Sequence, residues 1–199
     1  MKKRLLVFTP IFLCALIIFS SLSPVITLSE DISNKVFRLH IIANSDSKED
    51  QNLKLEVRDQ VLKYSKEIYS DCTSVNDAVE VTNANLNKIK DIAQKTIAFN
   101  GYDYDTKVYT AKEFFNVRKY DDFILPAGNY YSLKIIIGEG KGRNWWCVMF
   151  PSVCLSGCTD DFDETLSEEE KKMIEDKKYV VRFKAAEIYE RVKNKISGN

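Results

Sequence analysis

The chain has a single histidine, no excess of basic over acidic residues, and no internal repeat or low-complexity stretch, and each shortage removes a class of function. Lys plus Arg and Asp plus Glu both count 29, so nothing in the charge balance draws a phosphate backbone. With His40 as the lone histidine, no Ser-His-Asp or Cys-His order can be argued, because one imidazole would have to serve whichever nucleophile is chosen. The cysteines form no C-x-x-C redox pair. The glycine run GEGKGRN (138–144) lacks the G-K-[ST] ending of a P-loop and no helix start follows it. It reads as a hairpin tip.

What is present starts at the N-terminus. Lys2, Lys3 and Arg4 precede an apolar run from Leu5 to Phe19 and a polar exit at Ser20, Ser21 and Ser23, the three parts of a secretory signal. Apolar character resumes at Val25, Ile26 and Leu28, so a retained membrane anchor is the alternative to a cleaved leader. Residues 1–28 are therefore expected to be a signal peptide or membrane anchor, and 29–199 a single exported globular domain. Cys14, inside the apolar run behind Leu13, reads as a signal-segment hydrophobe.

The period of the apolar residues supplies the elements. Val36 to Ala43 reads as a buried strand that stops at Asn44-Ser45-Asp46-Ser47. Ser47 with Asp50 opens a helix to about Tyr69 with Leu53, Val57, Val61, Tyr64 and Ile68 on one face. Ser74 with Asp77 opens a second, which runs to Asn100-Gly101. A strand through Tyr104 to Thr110 follows, then a surface connection over 112–124. Tyr130 to Ile137 and Trp145 to Phe150 are expected to pair as a hairpin around the glycine loop. Ser167 with Glu170 caps a short helix, and a last strand, Tyr179 to Phe183, leads into a C-terminal helix. The fold class is α+β: a mainly antiparallel sheet with two long helices after the first strand and a C-terminal helix.

Four cysteines lie beyond the leader, Cys72, Cys147, Cys154 and Cys158, and in an oxidising compartment they permit three pairings. Pro151 between Cys147 and Cys154 favours that pair, leaving Cys72 and Cys158 paired or free. A Cys3His zinc set with His40 has the wrong spacing for two short ligand pairs, so no metal and no cofactor is expected. Arg38 and His40 alternate to one strand face, open to a carboxylate or a partner's backbone if that face is exposed and structural if it is closed. Trp145 and Trp146 must point to opposite faces, so one ring can enter the core while the other serves as a binding anchor.

Two blocks, Phe37 to Leu62 with the string HIIANSDS and Leu125 to Cys154 with GxGxNWWCVxFP, resemble the stage II sporulation protein R family of endospore-forming bacteria. The resemblance implies an exported signal, made in the forespore and placed between the forespore and mother-cell membranes. There it would trigger a membrane-embedded aspartic protease of the mother-cell membrane, which removes the pro-segment of sigma-E. The resemblance supplies no catalytic residue, so the expectation is a non-enzyme. Candidate partner contacts are Arg38, His40, Asn44, Asp46, Arg143, Asn144, Trp145 and Trp146. The competing readings are a secreted hydrolase or thiol enzyme using His40 or a free cysteine, and a structural protein of the intermembrane space.

Overall fold

A computed structural model describes residues 20, 22–120, 123–151, 165–176 and 179–197. Along the chain these form α1 (residues 22–35), β1 (Phe37–Ile42), α2 (Lys48–Ile68), α3 (Val75–Ala84), α4 (Leu86–Phe99), β2 (Thr106–Phe115), β3 (Arg118–Lys119), β4 (Ile124–Leu125), β5 (Gly128–Ile137), β6 (Asn144–Phe150), α5 (Glu168–Glu175) and α6 (Val180–Ser197). The class is α+β with a mixed, mostly antiparallel sheet, as expected from the sequence. By contact the described residues fall into two compact units, one drawn from 34–114 and 129–167 and one from 20–33, 115–128 and 168–197.

The first unit holds a four-stranded sheet in the order β2-β5-β1-β6. β1 runs parallel to β5, with His40 opposite Lys134, and antiparallel to β6, with His40 opposite Trp146. Because side chains alternate along a strand, Leu39, Ile41, Leu133, Ile135, Cys147 and Met149 share one face and are buried in a core with Leu53, Val57 and Val61 of α2 and Ile89, Ala93 and Ile97 of α4. Each fully buried aliphatic side chain there contributes about 1.5–3 kcal/mol. Arg38, His40, Ser132, Lys134 and Trp146 take the alternate positions. Arg38 and His40 therefore do share a face.

Three sequence expectations fail between α3 and β6, each for a local reason. The second helix breaks at Asn85, whose amide donates to the Val81 carbonyl at 2.8 Å and whose Oδ1 accepts from the Tyr64 hydroxyl at 2.8 Å. An Asn so engaged closes the first helix, and its backbone carbonyl accepts from the Ile89 amide at 2.9 Å to begin the next. Residues 112–124 are not a plain connection, since β2 continues to Phe115 and 118–119 pairs with 124–125, burying Phe123, Ile124 and Leu125. Most consequential, β5 and β6 are not a hairpin: β1 lies between them. The glycine loop must cross two strand spacings, about 10 Å, over the C-terminal end of β1.

In the second unit, the short β3–β4 pair accompanies α1, α5 and α6. The expected strand Tyr179 to Phe183 is instead helical, with α6 beginning at Val180. Its Tyr-Val-Val run suggests a strand, but Phe183, Ala186 and Glu187 are buried at helical spacing, and packing outweighs propensity of this size. Glu187 is tied down by the Val117 backbone N–H at 3.2 Å, Lys184 at 2.9 Å and Arg191 at 2.8 Å. α1 runs across the boundary expected at residue 28. None of the described helices is long and apolar enough to cross a membrane.

Candidate functional site

The chain reverses at the end of β1 through Asn44-Ser45-Asp46-Ser47, and the glycine loop lies directly on this turn. The amides of Lys141 and Gly142 donate to the carbonyls of Asn44 and Ala43 at 3.1 and 2.9 Å. The Glu139 amide donates to Asn44 Oδ1 at 3.0 Å and the Arg143 amide to Asp46 Oδ1 at 2.7 Å. Glycine is required here for closeness as well as for torsion. A Cβ at Gly142 would fall on the Ser45 carbonyl oxygen, and one at Gly138, where φ is +55°, would meet the Asn44 side chain.

Beneath the loop a carboxylate fixes the turn. Asn44 Nδ2 and Ser45 Oγ donate to Asp50 Oδ2 at 2.9 and 2.6 Å. Burial works against the Asp50 charge, but bonds from Ser45, Asn44 and Tyr104 outweigh it and hold the carboxyl below its usual range. Ser47 caps α2 through the Asp50 amide at 3.1 Å, while the Asp50 side chain turns to Asn44 and Ser45. Lys54, nearly buried, donates to the Arg143 carbonyl at 3.1 Å and to Gln51 Oε1 at 2.6 Å. Burial and then the Arg143 charge push its ammonium below the usual lysine range. What remains outside is a polar rim: Glu139, Lys141, Asp46 and Arg143 have side chains 63–74% exposed and paired as Lys141 with Glu139 and Arg143 with Asp46.

On the face away from the helices a second network crosses all four strands. His40 Nδ1 lies 2.9 Å from Glu113 Oε1 and Nε2 lies 2.8 Å from Asn144 Oδ1. Ser132 and Lys134 donate to Glu113 at 2.7 and 2.9 Å. Burial raises the cost of the Glu113 charge, yet the bonds from His40, Ser132 and Lys134 overcome it and hold the carboxyl at about 2. Trp146 stacks on His40 with ring centroids 3.7 Å apart, and the Arg38 guanidinium lies over the Tyr130 ring at 4.9 Å. Trp145 points the other way, against the helix-covered core and under the Arg58 guanidinium at 4.5 Å.

The eight candidate contacts thus fall into three places. Asn44, Asp46 and Arg143 meet at the loop clasp. Arg38, His40, Asn144 and Trp146 share the polar face, and Trp145 packs on the opposite one. Asn44 is spent inside the clasp, and His40, 4% exposed with both nitrogens engaged, matches the closed-face alternative. The sequence reading missed Glu113, Asp50, Lys54, Ser132 and Lys134. Continuing the alternation of β2 past Thr110 would have reached Glu113.

Cys147 is buried in β6 and disulfide-bonded, whereas Cys72 is a free thiol. Cys154, its expected partner, and Cys158 lie outside the described residues. Burial, with Asp77 and Asp71 nearby, pushes the Cys72 thiol up, away from the reactive thiolate. Among the described residues no group of three or more His, Cys, Asp and Glu is placed to hold a metal ion.

Residues 33–160 match the family described as stage II sporulation protein R. The chain belongs to this family. Stage II sporulation protein R of Bacillus subtilis (strain 168) is 38% identical over 141 residues, covering 71% of this chain and 62% of that relative. No solved structure matches the chain. The family match runs from α1 through β6 and so takes in both the NSDS turn and the glycine loop, while α5 and α6 lie beyond it.

Proposed function

We propose that this chain is the exported signal of sporulation that activates a membrane-embedded aspartic protease in the mother-cell membrane, which then cleaves pro-sigma-E. The observation that carries the reading is the clasp. Two segments about a hundred residues apart in sequence, both within the family match, join through backbone hydrogen bonds into one rigid turn whose outer rim is exposed and charged. A rigid rim loses little entropy on binding, and an activator needs only to bind the active arrangement of its target more tightly than the inactive one. Arg143 and Lys141 are the contacts on this reading, with Asp46 and Glu139 holding their side chains in place. In the same reading the N-terminal segment directs export and Cys147 pairs with Cys154.

The test is coexpression of the full chain with the protease and pro-sigma-E in a host that does not sporulate, where processing requires direct triggering. Processing should appear with the wild type and fall at least about tenfold in the Lys141→Ala, Arg143→Ala double variant, since exposed charged contacts can be removed without disturbing a core. Wild-type processing in that variant removes the rim from the mechanism. No processing with the wild-type chain ends the activator reading. The engaged nitrogens of His40 and the raised Cys72 thiol give the hydrolase and thiol-enzyme alternatives no support.

A further inference from the structure

One surface is unused by this reading. On α6, Ile188, Tyr189, Val192 and Ile196 are 65%, 42%, 50% and 80% exposed, although aliphatic side chains at a four-residue step ordinarily cover a core. At about 100° per residue they occupy a continuous arc of about 100°. The opposite side of the same helix already carries the buried Phe183, Ala186 and Glu187, so among the described residues one side of this helix is covered and the apolar stripe is not.

The charges beside the arc identify what would cover it. Lys184, Arg191 and Lys195 flank one edge and Lys193 the other, and the helix as a whole has five basic residues, Arg182 among them, against Glu187 and Glu190. Two of those cations, Lys184 and Arg191, are also bound to Glu187, which holds them at that edge of the helix. An aliphatic arc with a tyrosine, edged by lysines, has the chemistry of a helix lying in the headgroup layer of an anionic bilayer. Lys193 also pairs with Glu30 of α1 at 2.6 Å. The chain before α1 carries the apolar run Leu5 to Phe19 behind Lys2, Lys3 and Arg4, so α6 is tied to the helix that follows the segment read as membrane-directed.

We infer that α6 docks the exposed Ile188, Val192 and Ile196 stripe into an anionic lipid surface, as a second membrane contact besides the N-terminal segment. The inference takes from the proposed function only that the chain works beside a membrane. The stripe lies outside the family-matched residues 33–160.

The full chain is reconstituted with vesicles of phosphatidylcholine and phosphatidylglycerol, with phosphatidylcholine alone, and without vesicles, and amide hydrogen exchange is followed over 183–197. The expected result is exchange slowed about tenfold on the anionic vesicles, less on neutral ones, and no slowing in the Ile188→Ser, Val192→Ser, Ile196→Ser triple variant. Equal exchange with and without vesicles overturns the proposal. So does equal slowing on neutral vesicles, or protection without vesicles that grows with protein concentration, which assigns the stripe to a second copy. Faster exchange of the triple variant without vesicles makes the stripe a packing surface and overturns it as well. No protease is present, so failure here leaves the processing assay independent.

Discussion

The two faces of the sheet in the first unit use alternate residues of the same strands and are held together differently. On the helix-covered face, Leu39, Ile41, Leu133 and Ile135 give up water to α2 and α4, a non-directional gain that tolerates small shifts. On the other face, Glu113, His40, Ser132, Lys134 and Asn144 are joined by bonds of 2.7 to 2.9 Å, which tolerate almost none. The first face supplies most of the stability, and the second fixes how the strands stand relative to one another. The loop clasp belongs to neither face and makes the end of β1 rigid where both faces stop.

The widest gap between the faces should appear on truncation. Leu39→Ala, at a fully buried position, is expected to cost about 4 kcal/mol by lost burial and cavity, read as a lower urea midpoint at unchanged slope. Gly142→Ala, whose Cβ meets a backbone oxygen that cannot swing aside, should cost about 3 kcal/mol. A loss as large as that of Leu39→Ala would make the clasp an equal partner of the core.

On the polar face, Glu113→Gln should cost about 2 kcal/mol, because it weakens bonds to His40 and Lys134 without opening a cavity. Its sharper signature is in acid. The Glu113 carboxyl has an ordinary value of 4.5 and is held at about 2 in the fold. Its contribution is therefore complete above the unfolded value and lost as pH falls from there through about 2. Between pH 5 and pH 2 the wild type should lose more stability than Glu113→Gln; parallel acid curves would show that the charge of Glu113 does not hold this face. Smallest of all, Arg143→Ala, with a side chain 72% exposed, should stay within about 0.5 kcal/mol of wild type in the same urea titration.

How far these regions were legible in the sequence follows their physics. The helix-covered face was readable because burial repeats with the period of the element, so Leu53, Val57 and Val61 in α2 and Ile89, Ala93 and Ile97 in α4 announce themselves. The caps at Ser47 and Ser74 are equally local, and the Ser74–Asp77 capping box is complete. Glu113 was not readable as a network centre: a single acidic residue in an alternating strand carries no mark of the histidine 73 positions earlier that it will meet. The pairing of β5 with β6 was misread because a glycine-rich loop between two strands looks the same whether it turns a hairpin or straddles a third strand.

The sequence by itself determined the α+β class, the two-faced strands, the opposite directions of Trp145 and Trp146, and membership of the stage II sporulation protein R family, all of them consequences of short-range pattern or of the two motif strings. Only the tertiary structure decided that β1 enters between β5 and β6, that Gly138 and Gly142 of the loop serve contact with the NSDS turn, and that His40 is closed in by Glu113, Asn144 and Trp146. Each of these depends on which distant segments meet. Strand order is set by the summed burial and hydrogen bonding of the whole sheet, and no local window of residues contains that sum.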